Sequence, residues 1–144
     1  MKNIIVTEVS QQRQAFAKAF GATQVLNPKT DDVVAKVRSM TDDAGADVAF
    51  ECSGIQAGLD SAVAGIRAGG TVTVVSLWEE KPLIDAFDLV SYEKHVIGAV
   101  VYDEGDFENV VEAISSGMLV RRVLIVIVSE GCRFILITAY RLHC

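Results

Sequence analysis

The chain has 144 residues, 51% of them hydrophobic, and a formal net charge of −6. This length and hydrophobic content suffice for one domain with a core, which excludes an intrinsically disordered chain. The acidic balance argues against a nucleic-acid partner, which would need a basic face. The apolar run near the N-terminus is broken by Glu8, so we expect no secretion signal.

The positions of the cysteines and histidines bear on disulfide bonds and on metal binding. Cys52, Cys132 and Cys144 form no close pair, which fits a reducing compartment and predicts a cytoplasmic protein without a disulfide framework. His95 and His143 have no Cys, Asp or Glu at metal-ligand spacing, so the sequence predicts no metal site.

Strand and helix patterns alternate along residues 1–119. The predicted strands cover residues 4–8, 24–26, 47–51, 71–75 and 95–101. The predicted helices run from an N-cap at Ser10 to Gly21, from a cap at Thr30 or Asp31 to Met40, from Ile55 to Ile66, over residues 85–91, and from a cap at Asp106 to Gly117. Repeated strand–helix units predict an α/β fold, a doubly wound parallel sheet with helices on both faces.

Residues 120–144 differ from the rest of the chain. Residues 1–119 carry a net charge of −9, whereas residues 120–144 carry +3 and contain no Lys, Asp, Asn, Gln or Pro. Two apolar strands are predicted there, at 123–128 and 134–139, without a helix between them. Glu130 and Arg133 interrupt the apolar stretch, so a transmembrane helix is not expected. We therefore divide the chain into a domain at 1–119 and an apolar tail at 120–144 of different origin.

Candidate binding residues follow the predicted strand ends. Glu8 ends the first strand, where a carboxylate binds ribose hydroxyls in dinucleotide-binding folds; a solvated acid is an equal alternative. Arg13, one helical turn into the next helix, either reaches the adenosine side or is a solvated charge. Cys52, Ser53 and Gly54 form either a ligand-binding turn or an ordinary tight turn. No His–Asp pair is placed to activate Cys52 as a nucleophile.

Two further segments lie at the same predicted edge. Val75, Ser76 and Leu77 end the fourth strand, and Val100 and Val101 end the fifth. A neutral, apolar edge suits a nicotinamide ring and equally suits core packing. The segment at 78–82 either borders a substrate pocket or is a solvated loop. No glycine-rich turn for a pyrophosphate is visible in the sequence.

The order of these motifs resembles that of a known family. The segments IIVTEVSQQRQAFAKAFGATQVLNP, GADVAFECSG, AGGTVTVVSLWEEKP and EKHVIGAVVYDEGDFENVVEAISSGML are similar to the cofactor domain of medium-chain, zinc-dependent alcohol dehydrogenases, especially the butanediol and polyol dehydrogenases. The resemblance runs from Asn3 to Leu119. It implies a Rossmann fold and NAD-dependent hydride transfer between secondary alcohols or polyols and ketones.

The resemblance also implies roles for the candidate residues. Glu8 would bind the adenosine ribose with Arg13 beside it, and Cys52–Gly54 would follow the adenosine and pyrophosphate path. Val75–Leu77, with Val100 and Val101, would lie near the nicotinamide. Residues 95–101 would form the edge strand through which such dehydrogenases associate.

Several family features are absent from this sequence. The family's zinc ligands and proton relay belong to an N-terminal domain that this chain lacks, as it lacks the first strand of the cofactor domain and its glycine-rich turn. We therefore expect a truncated product that is inactive alone and binds NAD weakly. Two other interpretations stay open: a non-catalytic nucleotide-binding or dimerisation remnant, and a methyltransferase, whose glycine motif would have to lie upstream.

The missing first strand has a physical consequence. In the strand order 3-2-1-4-5-6 it is central, and unpaired buried backbone groups cost about 1–3 kcal/mol each. Strands 2 and 4 could pair directly, the apolar tail could fill the slot, or the chain could be poorly stable. Of these, the sequence predicts a gap or a distorted pairing, with marginal stability.

Overall fold

A computed structural model describes residues 3–117 and the backbone of residues 134–139. The described strands are β1 (Asn3–Glu8), β2 (Gln24–Leu26), β3 (Ala46–Glu51), β4 (Ile66–Val74), β5 (His95–Gly98) and β6 (Phe134–Ala139). The described helices are α1 (Gln11–Ala19), α2 (Val33–Met40), α3 (Gln56–Gly65), α4 (Ala86–Ser91) and α5 (Glu104–Ser115). The strand predicted at 123–128 lies outside the described residues.

The strands form one parallel sheet in the order β2-β1-β6-β3-β4-β5. Helices connect β1, β2, β3, β4 and β5, as parallel strands require. The predicted α/β fold with a parallel sheet is therefore confirmed, and its order is that of the Rossmann fold with β6 in the place of the first strand.

The predicted gap at the centre of the sheet is wrong, because β6 occupies it. All six residues of β6 pair with β1, from Asn3↔Phe134 to Glu8↔Ala139. On its other side β6 pairs with residues 48–51 of β3. The backbone N–H and C=O groups of both neighbours thereby find partners, which removes the free-energy cost that an open slot would impose. The prediction of marginal stability rested on this gap, so the structure removes the reason for it.

The boundary between α3 and β4 also differs from the prediction. Gly69 and Gly70 were expected to follow the end of a helix at Ile66, yet β4 starts at Ile66 and runs through both glycines. The pairing with β3 shifts register within this stretch, and Gly69 has a φ of +65°. Glycine pairs in strands commonly mark such irregularities, because they tolerate backbone angles that other residues resist.

Two helix caps lie at positions other than those predicted. Asp32, rather than Thr30 or Asp31, caps α2 by accepting a hydrogen bond from the Ala35 N–H at 3.0 Å. Asp103 caps α5, and Asp106 is its partner in a capping box three residues later. The acid that supplies the cap lies one residue after the predicted Asp31 in α2 and three residues before the predicted Asp106 in α5, an error typical of boundaries inferred from sequence.

The core lies where α2 and α3 pack against each other and α3 packs against the sheet. Its most buried apolar side chains, each at most 1% exposed, are Ile5, Val37, Ala46, Ala49, Leu59, Ala62, Ile66 and Val72. Met40, predicted as a core residue, packs partly buried against them. This core fixes the strands whose ends carry the candidate site.

The described helices are short, from six residues in α4 to twelve in α5. A helix needs about 20 apolar residues to cross a bilayer. Within residues 3–117 and 134–139, no helix meets that requirement.

Replacing one β6 residue by proline tests its place in the sheet. Ile137 pairs with Val6 on one side and with Phe50 on the other. Ile137→Pro removes a ladder N–H from a central strand and leaves a buried acceptor without its partner, and we expect a loss of about 1–3 kcal/mol. That corresponds to a thermal midpoint roughly 2–12 °C lower by circular dichroism. Ile137→Val is the matched control; equal midpoints for the two variants would contradict the central position of β6.

Candidate functional site

The carboxyl ends of the parallel strands meet at one edge of the sheet, where ligands bind in open α/β folds. Glu8 is the last residue of β1 and Glu51 the last residue of β3. The structure places all the predicted site residues at or just after the ends of β1, β3, β4 and β5. Within this edge they fall into two groups, one around Glu8 and one around Glu51.

Glu8 and Arg13 form a bidentate ion pair. The Arg13 guanidinium donates to Glu8 Oε2 through Nε and to Glu8 Oε1 through Nη2, both at 2.6 Å. The Ser10 N–H also donates to Oε1, at 2.7 Å. Glu8 is 2% exposed, whereas the Arg13 side chain is 41% exposed. The guanidinium therefore covers the carboxylate on its solvent side, and the two residues act as one unit.

This environment favours the charged form of Glu8. Burial by itself raises the pKa of the carboxyl group, but the hydrogen bonds from Arg13 and the Ser10 amide outweigh it. The pKa of Glu8 is consequently held below its ordinary value of 4.5. The same hydrogen bonds raise the pKa of Arg13 above its ordinary value. Both groups are charged at neutral pH.

A second buried acid, Glu51, organises the turn after β3. Its Oε1 accepts hydrogen bonds from the amides of Ser53 at 2.6 Å and Gly54 at 3.1 Å, and from the Ser53 hydroxyl. Its Oε2 accepts from the hydroxyl of Ser76, beyond the end of β4. Glu51 is fully buried. The structure thus joins Ser53, Gly54 and Ser76 through a residue to which sequence reasoning gave no role.

One signal in the sequence could have found Glu51. Like Glu8, it is an acid at the last position of an apolar strand, and it is followed by Ser53 and Gly54. Such a position favours either a ligand contact or a cap for the following turn. Its pairing with Ser76 is 25 residues away along the chain, and no local pattern predicts it.

Two glycines permit the close packing around Glu51. Gly54 has a φ of +66°, and a Cβ there would lie 2.7 Å from the Leu77 carbonyl oxygen. At Gly58, in the first turn of α3, a Cβ would lie 2.0 Å from the Ser53 hydroxyl oxygen. A side chain at either position would push the turn away from its neighbours.

A cleft of about 380 Å³ opens between the turn after β3 and the segment after β4. Residues 53–56 line one side and residues 77–82 line the other. The Gln56 side chain closes its outer end by donating to the Leu83 carbonyl at 2.8 Å and accepting from the Leu83 N–H at 3.0 Å. Ser53, Gly54 and Leu77 therefore border one cavity, and the segment at 78–82 borders it too.

The remaining predicted residues are near the same edge but do not contribute to the described lining of this cleft. Val75, Val100 and Val101 are 42%, 74% and 88% exposed. The fifth strand ends at Gly98, so Val100 and Val101 follow β5 instead of belonging to it. The range 95–101 predicted for this strand is thus too long at its C-terminal end. The apolar pair forms an exposed surface at the end of the sheet.

Cys52 is poorly suited to nucleophilic chemistry. Burial, and secondarily the nearby charge of Glu51, raises the pKa of its thiol to about 11. That Cys52 is not a nucleophile stays a prediction. Within the described residues, no group of three His, Cys, Asp or Glu side chains could hold a metal ion.

The chain matches known proteins over most of its length. The protein family described as "Zinc-binding dehydrogenase" matches residues 1–116. The chain is 36% identical over 118 residues to 2-dehydro-3-deoxy-L-galactonate 5-dehydrogenase of Pseudoalteromonas atlantica, covering 81% of this chain and 34% of that protein. It is 38% identical over 100 residues to (R,R)-butanediol dehydrogenase of Bacillus subtilis, covering 69% and 29%.

Solved structures of dehydrogenases also match this chain. The crystal structure of 2R,3R-butanediol dehydrogenase from Bacillus subtilis superposes with a TM-score of 0.74 at 35% identity, covering 81% of this chain and 33% of that one. Benzyl alcohol dehydrogenase from Acinetobacter calcoaceticus gives 0.73 at 28% identity, covering 80% and 33%. The chain spans about a third of the length of these relatives.

The ion pair at Glu8 predicts a pH-dependent stability. The pKa of Glu8 is lowered on folding, so its contribution is present above pH 4.5 and is lost as the pH falls through the folded pKa. Arg13→Ala removes the two strongest donors, and we expect it to cost about 1–2 kcal/mol at pH 7. This cost should shrink steadily toward pH 3, measured by urea unfolding.

Arg38→Ala is the control for this experiment. The Arg38 side chain is as exposed as that of Arg13, at 42%, but it meets the exposed carboxylate of Asp43 at 3.8 Å. A long, exposed pair contributes little, so we expect a smaller cost with little pH dependence. Equal pH dependence in the two variants would contradict the role given to Arg13.

Proposed function

Because the chain belongs to the zinc-binding dehydrogenase family, we propose that residues 3–117 provide the dinucleotide site of an NAD-dependent alcohol or polyol dehydrogenase. The observation that carries this proposal is the pairing of a charged acid at the end of β1 with a cleft at the ends of β3 and β4. Both features lie at the edge where nucleotides bind in parallel sheets.

Glu8 and Arg13 are the proposed adenosine-side contacts. The Glu8 carboxylate accepts hydrogen bonds from Arg13 on both oxygens, from the Ser10 amide on Oε1, and from the Val9 amide. A ribose hydroxyl would therefore take the place of an Arg13 donor. Since the Glu8 side chain is only 3% exposed beneath Arg13, the guanidinium must swing outward when the ribose binds. The retained negative charge would repel the extra phosphate of NADP.

The cleft is the proposed place of the rest of the cofactor. Cys52, Ser53 and Gly54 would lie along the pyrophosphate path, and Val75, Ser76 and Leu77, with Val100 and Val101, would lie near the nicotinamide. When bound, NAD supplies the hydride acceptor of the reaction. The chain's own residues bind it, orient it and present an apolar surface beside it.

We expect this site to bind the pyrophosphate group of NAD weakly. In the fold the central strand normally leads into a glycine-rich turn and a helix N-terminus that hold the pyrophosphate. Here the central strand is β6, and residues 140–144, which follow it, contain no glycine. The proposal is therefore that the chain alone binds NAD weakly and does not turn over alcohols. The zinc chemistry that the family resemblance implies would come from another domain.

A secondary role in association is favoured by β5. Among the described strands β5 is at one edge, pairing with β4 alone, and Ile97 within it is 51% exposed. An edge strand with unpaired backbone groups can add a strand from another chain. We propose that two copies associate through this edge, as the resemblance implies.

Nucleotide titrations test the proposed site. We expect NMR titration of the isolated chain to give AMP and NAD dissociation constants well above the micromolar range. AMP should bind more tightly than its analogue with an added 2′-phosphate, because of the charge on Glu8. Glu8→Gln should weaken AMP binding and remove this preference, while Glu112→Gln, on α5, should change neither. Absence of AMP binding, or a preference that survives in Glu8→Gln, would overturn the proposal.

Association is tested by blocking the edge. Ile97→Lys places a charge on β5, and we expect analytical ultracentrifugation to show a concentration-dependent dimer in the unmodified chain that this variant loses. Val110→Lys is the control, since Val110 on α5 is similarly exposed, at 48%. A chain that is monomeric at every concentration, or equal loss in both variants, would contradict association through β5.

A further inference from the structure

Glu51 is not among the residues proposed above to contact the cofactor, although among the described residues it is the most buried acid at the ligand-binding edge. We propose, on the basis of the proposed function, that Glu51 is a positioning residue of the dinucleotide site. Its carboxylate fastens the turn after β3 to the segment after β4, and so holds the cleft between them open to the second half of the dinucleotide.

The hydrogen bonds of Glu51 are all internal. Oε1 accepts from the Ser53 amide, the Ser53 hydroxyl and the Gly54 amide, and Oε2 accepts from the Ser76 hydroxyl. With four donors and no exposed surface, the carboxylate is not available to a ligand. Its effect on binding must therefore act through the residues that it holds, which line the cleft or lead into it.

The backbone amides of Ser53 and Gly54 require an acceptor at Oε1. A carboxylate matches these amides and also accepts from the Ser53 and Ser76 hydroxyls. An amide that kept its oxygen toward Ser53 and Gly54 would turn its NH₂ group toward Ser76, whose hydroxyl would then have to accept instead of donate. The first turn of α3 lies close by, since a Cβ at Gly58 would be 3.2 Å from Oε1. The positive end of that helix dipole favours the negative charge.

The cleft is fixed at its two ends by different side chains. At the inner end, Glu51 joins Ser53 to Ser76, and Gly54 packs against the Leu77 carbonyl. At the outer end, Gln56 holds both backbone groups of Leu83. Without the Glu51 side chain, the segment after β4 keeps its outer attachment and the backbone hydrogen bond from the Val75 N–H to the Glu51 carbonyl, but it loses the link through the Ser76 hydroxyl. The cleft walls would then move relative to each other where the pyrophosphate and nicotinamide are proposed to pass.

The adenosine half of the site provides an internal reference. Glu8 ends β1, and β6 separates β1 from β3, so Glu8 and Glu51 end strands that are two spacings, about 10 Å, apart. AMP would contact the Glu8 side and reach the turn after β3 with its single phosphate, whereas NAD would continue through the cleft to the segment after β4. The ratio of NAD affinity to AMP affinity therefore reports on the cleft, and AMP affinity alone reports on folding and on the proposed function.

The test compares this ratio in Ser76→Ala, Ser76→Thr and Ser61→Ala. Ser76→Ala removes the donor to Oε2, and Ser76→Thr restores a hydroxyl. Ser61→Ala is the matched control, because the Ser61 hydroxyl donates within α3 to Ala57 at 2.8 Å, on an exposed face. We expect Ser76→Ala to reduce the NAD-to-AMP affinity ratio at least about fivefold while leaving AMP affinity unchanged. Ser76→Thr should recover the ratio, and Ser61→Ala should retain it.

Each outcome bears on the inference. If AMP binds and Ser76→Ala keeps the ratio of the unmodified chain, the positioning role is refuted and the proposed function stands. If AMP does not bind the unmodified chain, the proposed function fails first and this inference fails with it. A loss of stability without a change in the ratio means that Glu51 is only structural. Glu51→Gln separates positioning from direct contact, because Glu51 is fully buried and touches no part of the proposed nucleotide path. It replaces the charge-assisted hydrogen bond to Ser76 by a weaker one, so we expect it to lower the ratio in the same direction as Ser76→Ala. An unchanged ratio in a folded Glu51→Gln would refute the positioning role.

Discussion

The structure depends on the pairing of β6 with β1 on one side and β3 on the other. Without it, the sheet would be two pieces, with β1 and β2 separated from β3, β4 and β5. Backbone hydrogen bonds contribute modestly when formed, but buried groups left without partners are costly. One strand of six residues therefore decides whether the acid at the end of β1 and the cleft beside β3 belong to one site.

Much of the fold could be predicted from local pattern. The strand ending at Glu8 and the helix ending at Met40 carry their own periodicity, and the structure confirms both. The placement of β6 could not be predicted in this way, because any apolar strand of suitable length fits the slot equally well by sequence. The sequence did not predict the Glu51–Ser76 contact either, because it joins residues far apart in the chain. Local chemistry suggested the candidate residues, and only the packed sheet grouped them.

Glu8 and Glu51 show how one residue type can serve two purposes at a single edge. Both are acids at strand ends and both are buried. Glu8 is covered by a half-exposed arginine, a donor that an incoming hydroxyl could replace. Glu51 is surrounded by short hydroxyl and amide donors that belong to the scaffold. The two carboxylates differ in the donors around them. Glu8 is therefore suited to binding a ligand, and Glu51 is suited to holding the protein segments around the cleft in place.

The central position of β6 also governs the order in which the chain can fold. Asn3 in β1 pairs with Phe134, 131 positions later. Contacts so distant in sequence close slowly, because the intervening chain must first lose much of its freedom. During synthesis on the ribosome, β1 and β3 must wait for residues 134–139 to emerge, and their facing backbones stay open until then. Exposed strand edges of this kind are sites of aggregation and chaperone binding, so the nascent chain should depend on such help more than a domain whose central strand is made first.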